Sequence, residues 1–266
     1  MAEAVIPVTG SGTYGRRFAA LFGAGLVGIV ALAPSLMVAL DELLEGKAHA
    51  PLPALVALSL AQPAVLLAVT VAAGTALAPR LGLVSRIAAW VSGERDAARM
   101  TQREVAVALL TGLVVAVVLL LLDMATRPAL GAAAAELSLT RGRTAWLTLA
   151  GLFYGGITEE LMLRWGLLTV LAYAGWRLLE RGRGRPGAGV MWAATILAAL
   201  VFGAAHLPAV AAAVPLTPPV IARTVVMNAL GGIAFGWLFW KRSLEAAMLA
   251  HAAVHVVFAA AVVAGV

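Results

Sequence analysis
The sequence predicts an all-α polytopic membrane protein, with about seven transmembrane helices around an intramembrane polar cavity. Three observations carry this prediction. The chain is 62% hydrophobic and only 12% charged, and its mean hydropathy of +0.98 is far above that of a soluble domain. Several apolar runs reach the ~18 residues that a helix needs to cross a bilayer. The few charges inside such runs are grouped: Glu159, Glu160 and Arg164 share one long apolar segment. A carboxylate or guanidinium at mid-bilayer costs roughly 2.5–3.5 kcal/mol, so it persists where it is paired, faces the protein interior or does chemistry.

The elements follow in order. Residues 1–15 read as a short polar tail with no removable signal peptide, because the first apolar run is too long for an h-region. Arg16 and Arg17 precede a first span near 18–40. A polar loop carries Asp41, Glu42, Glu45, Lys47 and His49, the last given no role. Pro51 and Pro53 open a second span near 52–78, where proline is tolerated at a helix start. Residues 80–104 read as an interfacial helix with Ile87, Trp90 and Val91 toward lipid. A third span runs near 105–125, and a loop over 126–143 carries Arg127, Glu136, Arg141 and Arg143.

Residues 144–176 form one unbroken apolar run apart from Glu159, Glu160 and Arg164. As a single α-helix it would measure about 50 Å against a ~30 Å hydrocarbon core, so it must tilt, project, or break at Gly155-Gly156 or Gly166. A basic loop holding Arg177, Arg181, Arg183 and Arg185 leads to a fifth span near 188–206. Prolines 208, 215, 218 and 219 punctuate the next loop. A sixth span near 220–240 carries Gly232 and Gly236 at GxxxG spacing, which suits close helix packing, and a last span runs near 244–265. Residues 1–143 form an N-terminal membrane region and residues 144–266 the motif-bearing core of one structural domain. Neither an internal repeat nor a soluble domain is evident.

Charge sets the orientation and removes some functions. Basic residues concentrate in the segments that seven spans place on the N-terminal side, which predicts a cytoplasmic N-terminus. An eighth span, made by breaking 144–176, would spoil that bias and ranks second. The expected location is the inner (plasma) membrane of a bacterium. The net charge of +6 reads as cytoplasmic loops facing anionic lipid, so no nucleic-acid partner is expected. With no cysteine, disulfides, thiolate metal sites and a Cys nucleophile are excluded.

Chemistry concentrates in few residues. Glu160 and Arg164 are four apart, share a helix face and pair. Glu159 is turned about 100° away and is left for something else. His206 ends the fifth span; His251 and His255, also four apart, put both imidazoles on one face of the last. Asn228 lies in the sixth span. A bland reading makes each a structural pair or packing glue. Taken together, two carboxylates and three histidines favour function: a carboxylate beside an imidazole deprotonates water, and N–H groups stabilise an oxyanion as water adds to an amide. Alternatively, Glu159, His206, His251 and His255 would bind zinc with an activated water. Neither an HExxH motif nor a G-x-S-x-G serine is present.

At these residues the sequence resembles the CAAX prenyl protease and bacteriocin-processing (Abi) family of intramembrane glutamic endopeptidases. The family pattern EExxxR appears as Glu159-Glu160-Leu161-Met162-Leu163-Arg164, and FxxxH as Phe202 to His206. The third motif, HxxxN or HxxxD, starts at His251 but ends on His255. The resemblance covers about 144–258. It implies Glu159 as the base that activates water with help from His206, Glu160 and Arg164 as ordering groups, and His251 with position 255 at the oxyanion. It further implies a membrane-associated polypeptide as substrate, prenylated or a leader peptide, and no cofactor in the usual pattern; His255 makes zinc more plausible here. The readings left open are a glutamic protease, a zinc protease on the same residues, and a non-enzymatic immunity or binding protein.

Overall fold
A computed structural model of the protein describes residues 11–44 and 51–265. Glu45, Lys47, His49 and the first ten residues of the expected tail lie outside them. Among the described residues every regular element is a helix, and six helices are long and apolar enough to cross a membrane. They include α1 (Ser11–Leu44), α2 (Leu52–Leu81) and α4 (Gln102–Leu130). The others are α8 (Ala188–Ala205, continued by the short α9, Leu207–Ala213), α10 (Pro218–Lys241) and α11 (Leu244–Ala264). The chain is therefore a polytopic membrane protein. Exposed Val30, Leu58, Val65, Leu110 and Leu121 give these helices an apolar outer face suited to lipid.

Local chemistry sets the helix ends. Prolines stand at the starts of α2 and α10, where a missing N–H costs nothing. Thr101 and Ser243 accept hydrogen bonds from Glu104 N and Ala246 N and cap α4 and α11. Gly82, in the left-handed conformation at φ 70°, ends α2. The expected interfacial helix over 80–104 is a short α3 (Arg86–Val91) followed by turns. Trp90 is exposed as expected, but Ile87 packs against the core. Glu245, from the first turn of α11, accepts from Arg86 N and Ile87 N and pins the start of α3.

The fourth expected span is a single helical run over 145–179. It comprises α6 (Ala145–Ala150), two π-wound stretches (Gly151–Glu159 and Leu161–Leu168) joined at Glu160, and α7 (Thr169–Leu179). It does not break at Gly155-Gly156 or at Gly166. Those glycines serve close approach instead: a Cβ on Gly166 would overlap Thr70, and one on Gly156 would lie 3.1 Å from Ala252 Cβ. The ladder relaxes into π winding, which is rare and gathers at functional sites.

Other helices pack around this run. α1 lies against its first π stretch, where Thr158 Oγ1 donates to Gly25 O at 2.7 Å. α2 lies against the second, where Trp165 Nε1 donates to Thr75 Oγ1 at 3.3 Å. α11 packs against the first π stretch and α4, and α10 against α8. The GxxxG pair works as its spacing predicts: Cβ atoms on Gly232 and Gly236 would sit 2.7 Å from Ala199 Cβ and Thr195 Cγ2.

Candidate active site
Glu160 is fully buried at the junction of the two π stretches. Its Oε1 stands 3.0 Å from Arg164 Nη1 and 2.8 Å from His251 Nδ1. The first contact is an ion pair by distance, but it is not angled as a hydrogen bond, and Nη1 has no other partner. Glu160 Oε2 likewise makes no hydrogen bond within the protein. Arg164 is held instead by Nη2, which donates to Gly232 O at 3.2 Å, and by the rings of Phe202 and Phe235, 5.3 and 5.5 Å from Cζ. Two aromatic faces stabilise a guanidinium in a place where water cannot. The close α8–α10 packing at Gly232 brings that carbonyl within reach.

The imidazoles follow from this frame. His251 stacks on Phe235 at 4.7 Å and on His255 at 5.2 Å between ring centroids. A carboxylate can only accept, so Glu160 fixes the proton of neutral His251 on Nδ1 and leaves Nε2 as an acceptor. His206 forms the turn between α8 and α9, with Nδ1 donating to Phe202 O at 2.8 Å, so its Nε2 is also a free acceptor. Both Nε2 atoms of the α11 pair point at Gly155: a Cβ there would stand 2.9 Å from that of His255 and 3.3 Å from that of His251. Gly155 thus leaves a notch that two imidazole nitrogens face.

Position along the helices predicts a problem for His206, which falls roughly 25 Å from the basic loop while Glu159 and His255 lie near mid-span. Phe202 links His206 to the buried cluster. Its ring centroid lies 6.4 Å from His251 and 4.7 Å from His206, with Arg164 Cζ above it. Glu159 is half-buried and, among the described residues, forms no ion pair or hydrogen bond. The structure therefore brings Glu160, Arg164, His251 and His255 together, sets His206 one turn away across Phe202, and leaves Glu159 unpaired beside them. Asn228 stands apart, its amide donating to Thr224 O in its own helix.

Some participants escape a reading of the sequence. Arg143, counted there as a loop charge, places Nη2 3.0 Å from His255 Nδ1. Phe235 and the Gly232 carbonyl carry no motif. Asp123 and Arg223 pair inside the helix bundle, and their signal was present: an acid late in one span and an arginine early in another. Among the described residues, no three His, Asp or Glu side chains are grouped closely enough to hold a metal ion. A cavity of about 750 Å³ lies elsewhere, lined by Arg17, Arg80, Trp165 and Trp176 among others.

Residues 141–257 match the family model of Rce1-like proteins, described as type II CAAX prenyl endopeptidase Rce1-like. The matched stretch contains all six candidate residues and Arg143. No curated protein and no solved structure matches the chain. The family is the one the three motifs resemble.

Proposed function
We propose that this chain, whose motif-bearing region is of the CAAX-type intramembrane protease family, hydrolyses a peptide bond of a membrane-associated polypeptide with water activated by Glu159. The coarse class, a membrane-embedded protease, rests on the family match; the assignment of roles is our reading. One observation carries it. Of two adjacent carboxylates, Glu160 is committed to Arg164 and His251, while Glu159 has no partner among the described residues. A paired carboxylate is a poor base, and an unpaired one that is half-buried is free to take a proton.

The reaction balances on these groups. Glu159 takes a proton from water, with His206 Nε2 accepting the other water hydrogen to hold it. The hydroxide oxygen bonds to the carbonyl carbon, and the carbonyl oxygen becomes an oxyanion met by an imidazole N–H. Collapse breaks the C–N bond, and the proton on Glu159 passes to the leaving amine. Exclusion of bulk water strengthens each of these interactions. Glu160 and Arg164 hold His251 rather than touch substrate. The chemistry needs no metal, so cleavage should survive chelation.

We further propose an inner-membrane protein with a cytoplasmic N-terminus, acting on a prenylated or leader-type peptide. The test is cleavage by purified, reconstituted protein offered a prenylated CAAX peptide and a membrane-anchored leader peptide, with and without chelator. Cleavage of either, unchanged by chelator and lost in Glu159→Gln, supports the reading. Cleavage abolished by chelator and restored by zinc would move the same residues to metal hydrolysis. Folded protein that cuts neither peptide favours a binding or immunity role.

A further inference from the structure
The two imidazoles at the Gly155 notch have different partners at Nδ1, and this makes them chemically unlike. His251 Nδ1 faces the Glu160 carboxylate, so its Nε2 is an acceptor when neutral. His255 Nδ1 faces Arg143 Nη2 at 3.0 Å. A guanidinium only donates, so this Nδ1 must accept, and the ring's proton stands on Nε2. Arg143 is itself fixed. Its Nε donates to Thr148 Oγ1 at 3.2 Å, and its Cζ lies 5.6 Å from the centre of the Phe258 ring. Burial lowers the affinity of Arg143 for its proton, yet a guanidinium stays charged. A Cβ at Gly151 would overlap His255 Nδ1, so that glycine keeps the ring in place.

We propose that Arg143 is a positioning residue that holds His255 in the Nε2–H tautomer, and so makes His255 the donor that meets the oxyanion at the Gly155 notch. The inference rests on the proteolytic reading above. It explains how a histidine stands where the resembled motif has an asparagine or an aspartate. An amide carries its donor without help, whereas an imidazole presents a donor there only if its other nitrogen is held as an acceptor. With His206 and His251 both held as Nδ1–H tautomers, His255 is the one of these three imidazoles that, with each ring in its neutral form, offers an N–H at Nε2.

The test is a two-by-two set, Arg143→Met and His255→Asn alone and together, in reconstituted protein, with a melting curve for each variant. His255→Asn sets its own reference rate, and the reading is the effect of Arg143→Met within each background. In the histidine background Arg143→Met should lower kcat at least about 10-fold with KM little changed, since loss of an oxyanion donor costs more than that. In the asparagine background the same change should alter kcat by less than about twofold, because the coupled partner is gone. Arg143→Lys, which keeps a donor, should retain most of the rate. In ¹⁵N-histidine spectra of the protein, the resonance lost in His255→Asn should read as Nε2–H in the wild type and shift toward Nδ1–H in Arg143→Met. Equal losses from Arg143→Met in both backgrounds, or an unchanged His255 spectrum in Arg143→Met, would overturn the proposal. The spectrum also separates the two claims: if the wild type cuts nothing, the proteolytic reading falls while the tautomer is still read.

Discussion

Two of the buried acid–arginine clusters among the described residues of this membrane protein are not alike. In one, Asp123 gives one carboxylate oxygen to Arg223 and the other to Arg127 at 3.0 Å, while Arg223 also donates to Leu137 O at 2.7 Å. Both acid oxygens are used, and the cluster ties α4 to α10 and to the turn before Ser138. In the other, Glu160 offers a single oxygen to both Arg164 and His251, and its second oxygen makes no hydrogen bond within the protein. Beside it stand a carboxylate with no partner among the described residues, two further imidazoles and a glycine notch. A charge inside a span is therefore not in itself a sign of function. On the proposed reading, a carboxylate oxygen left unused beside imidazoles from another helix is what sets the second cluster apart.

The comparison is sharpened first by removing each acid. Glu160→Gln leaves the Arg164 guanidinium buried without its counter-charge, and should cost about 3–5 kcal/mol of stability. It should also abolish cleavage, because His251 loses the group that orients it. Asp123→Asn should cost a similar amount of stability, on the order of 3 kcal/mol, since it strands Arg223. Cleavage per folded molecule should stay at the wild-type level. Detergent melts read alongside rates normalised to folded protein check both. Cleavage that depends on Asp123 as it does on Glu160 would erase the distinction between the clusters.

A smaller change probes the notch. Gly155→Ala places a methyl 2.9 Å from His255 Nε2 and 3.3 Å from His251 Nε2. It should lower kcat about 10- to 100-fold, the range expected when catalytic groups are misplaced by roughly 1 Å. Gly232→Ala instead meets Ala199 Cβ, at the α8–α10 contact. Overpacking there should appear mainly as about 1–3 kcal/mol of lost stability. Least of all, Asn228→Ala should change neither rate nor melting by more than about 0.5 kcal/mol, because that amide serves only its own helix.

Most of the fold is legible in the sequence, because the bilayer imposes length and apolarity on each span. Prolines 51 and 53 and the GxxxG pair at 232 and 236 mark a helix start and a contact that the structure bears out, whereas prolines 218 and 219, read as loop residues, form the first turn of α10. The pairing of Glu160 with Arg164 follows from helical spacing alone. What is not legible depends on which helices meet. The bond from His251 to Glu160 joins residues 91 apart in the chain, and that from Arg143 to His255 joins residues 112 apart. Neither is implied by a spacing within one helix. The π winding through Gly151–Leu168 also escapes pattern reading, since no residue forbids an ordinary α-helix there. The close approaches of neighbouring helices at Gly156 and Gly166 fall within it.

The contrast between a committed acid and a free one is tested most directly at the free one. Glu159→Gln and Asp123→Asn should be compared in one reconstituted preparation, with cleavage rate per folded molecule as the readout. The account predicts that Glu159→Gln lowers the rate at least about 100-fold, as loss of a general base does, with its melting curve intact, and that Asp123→Asn melts earlier yet cuts normally once folded. A Glu159→Gln protein that cuts at the wild-type rate would contradict it.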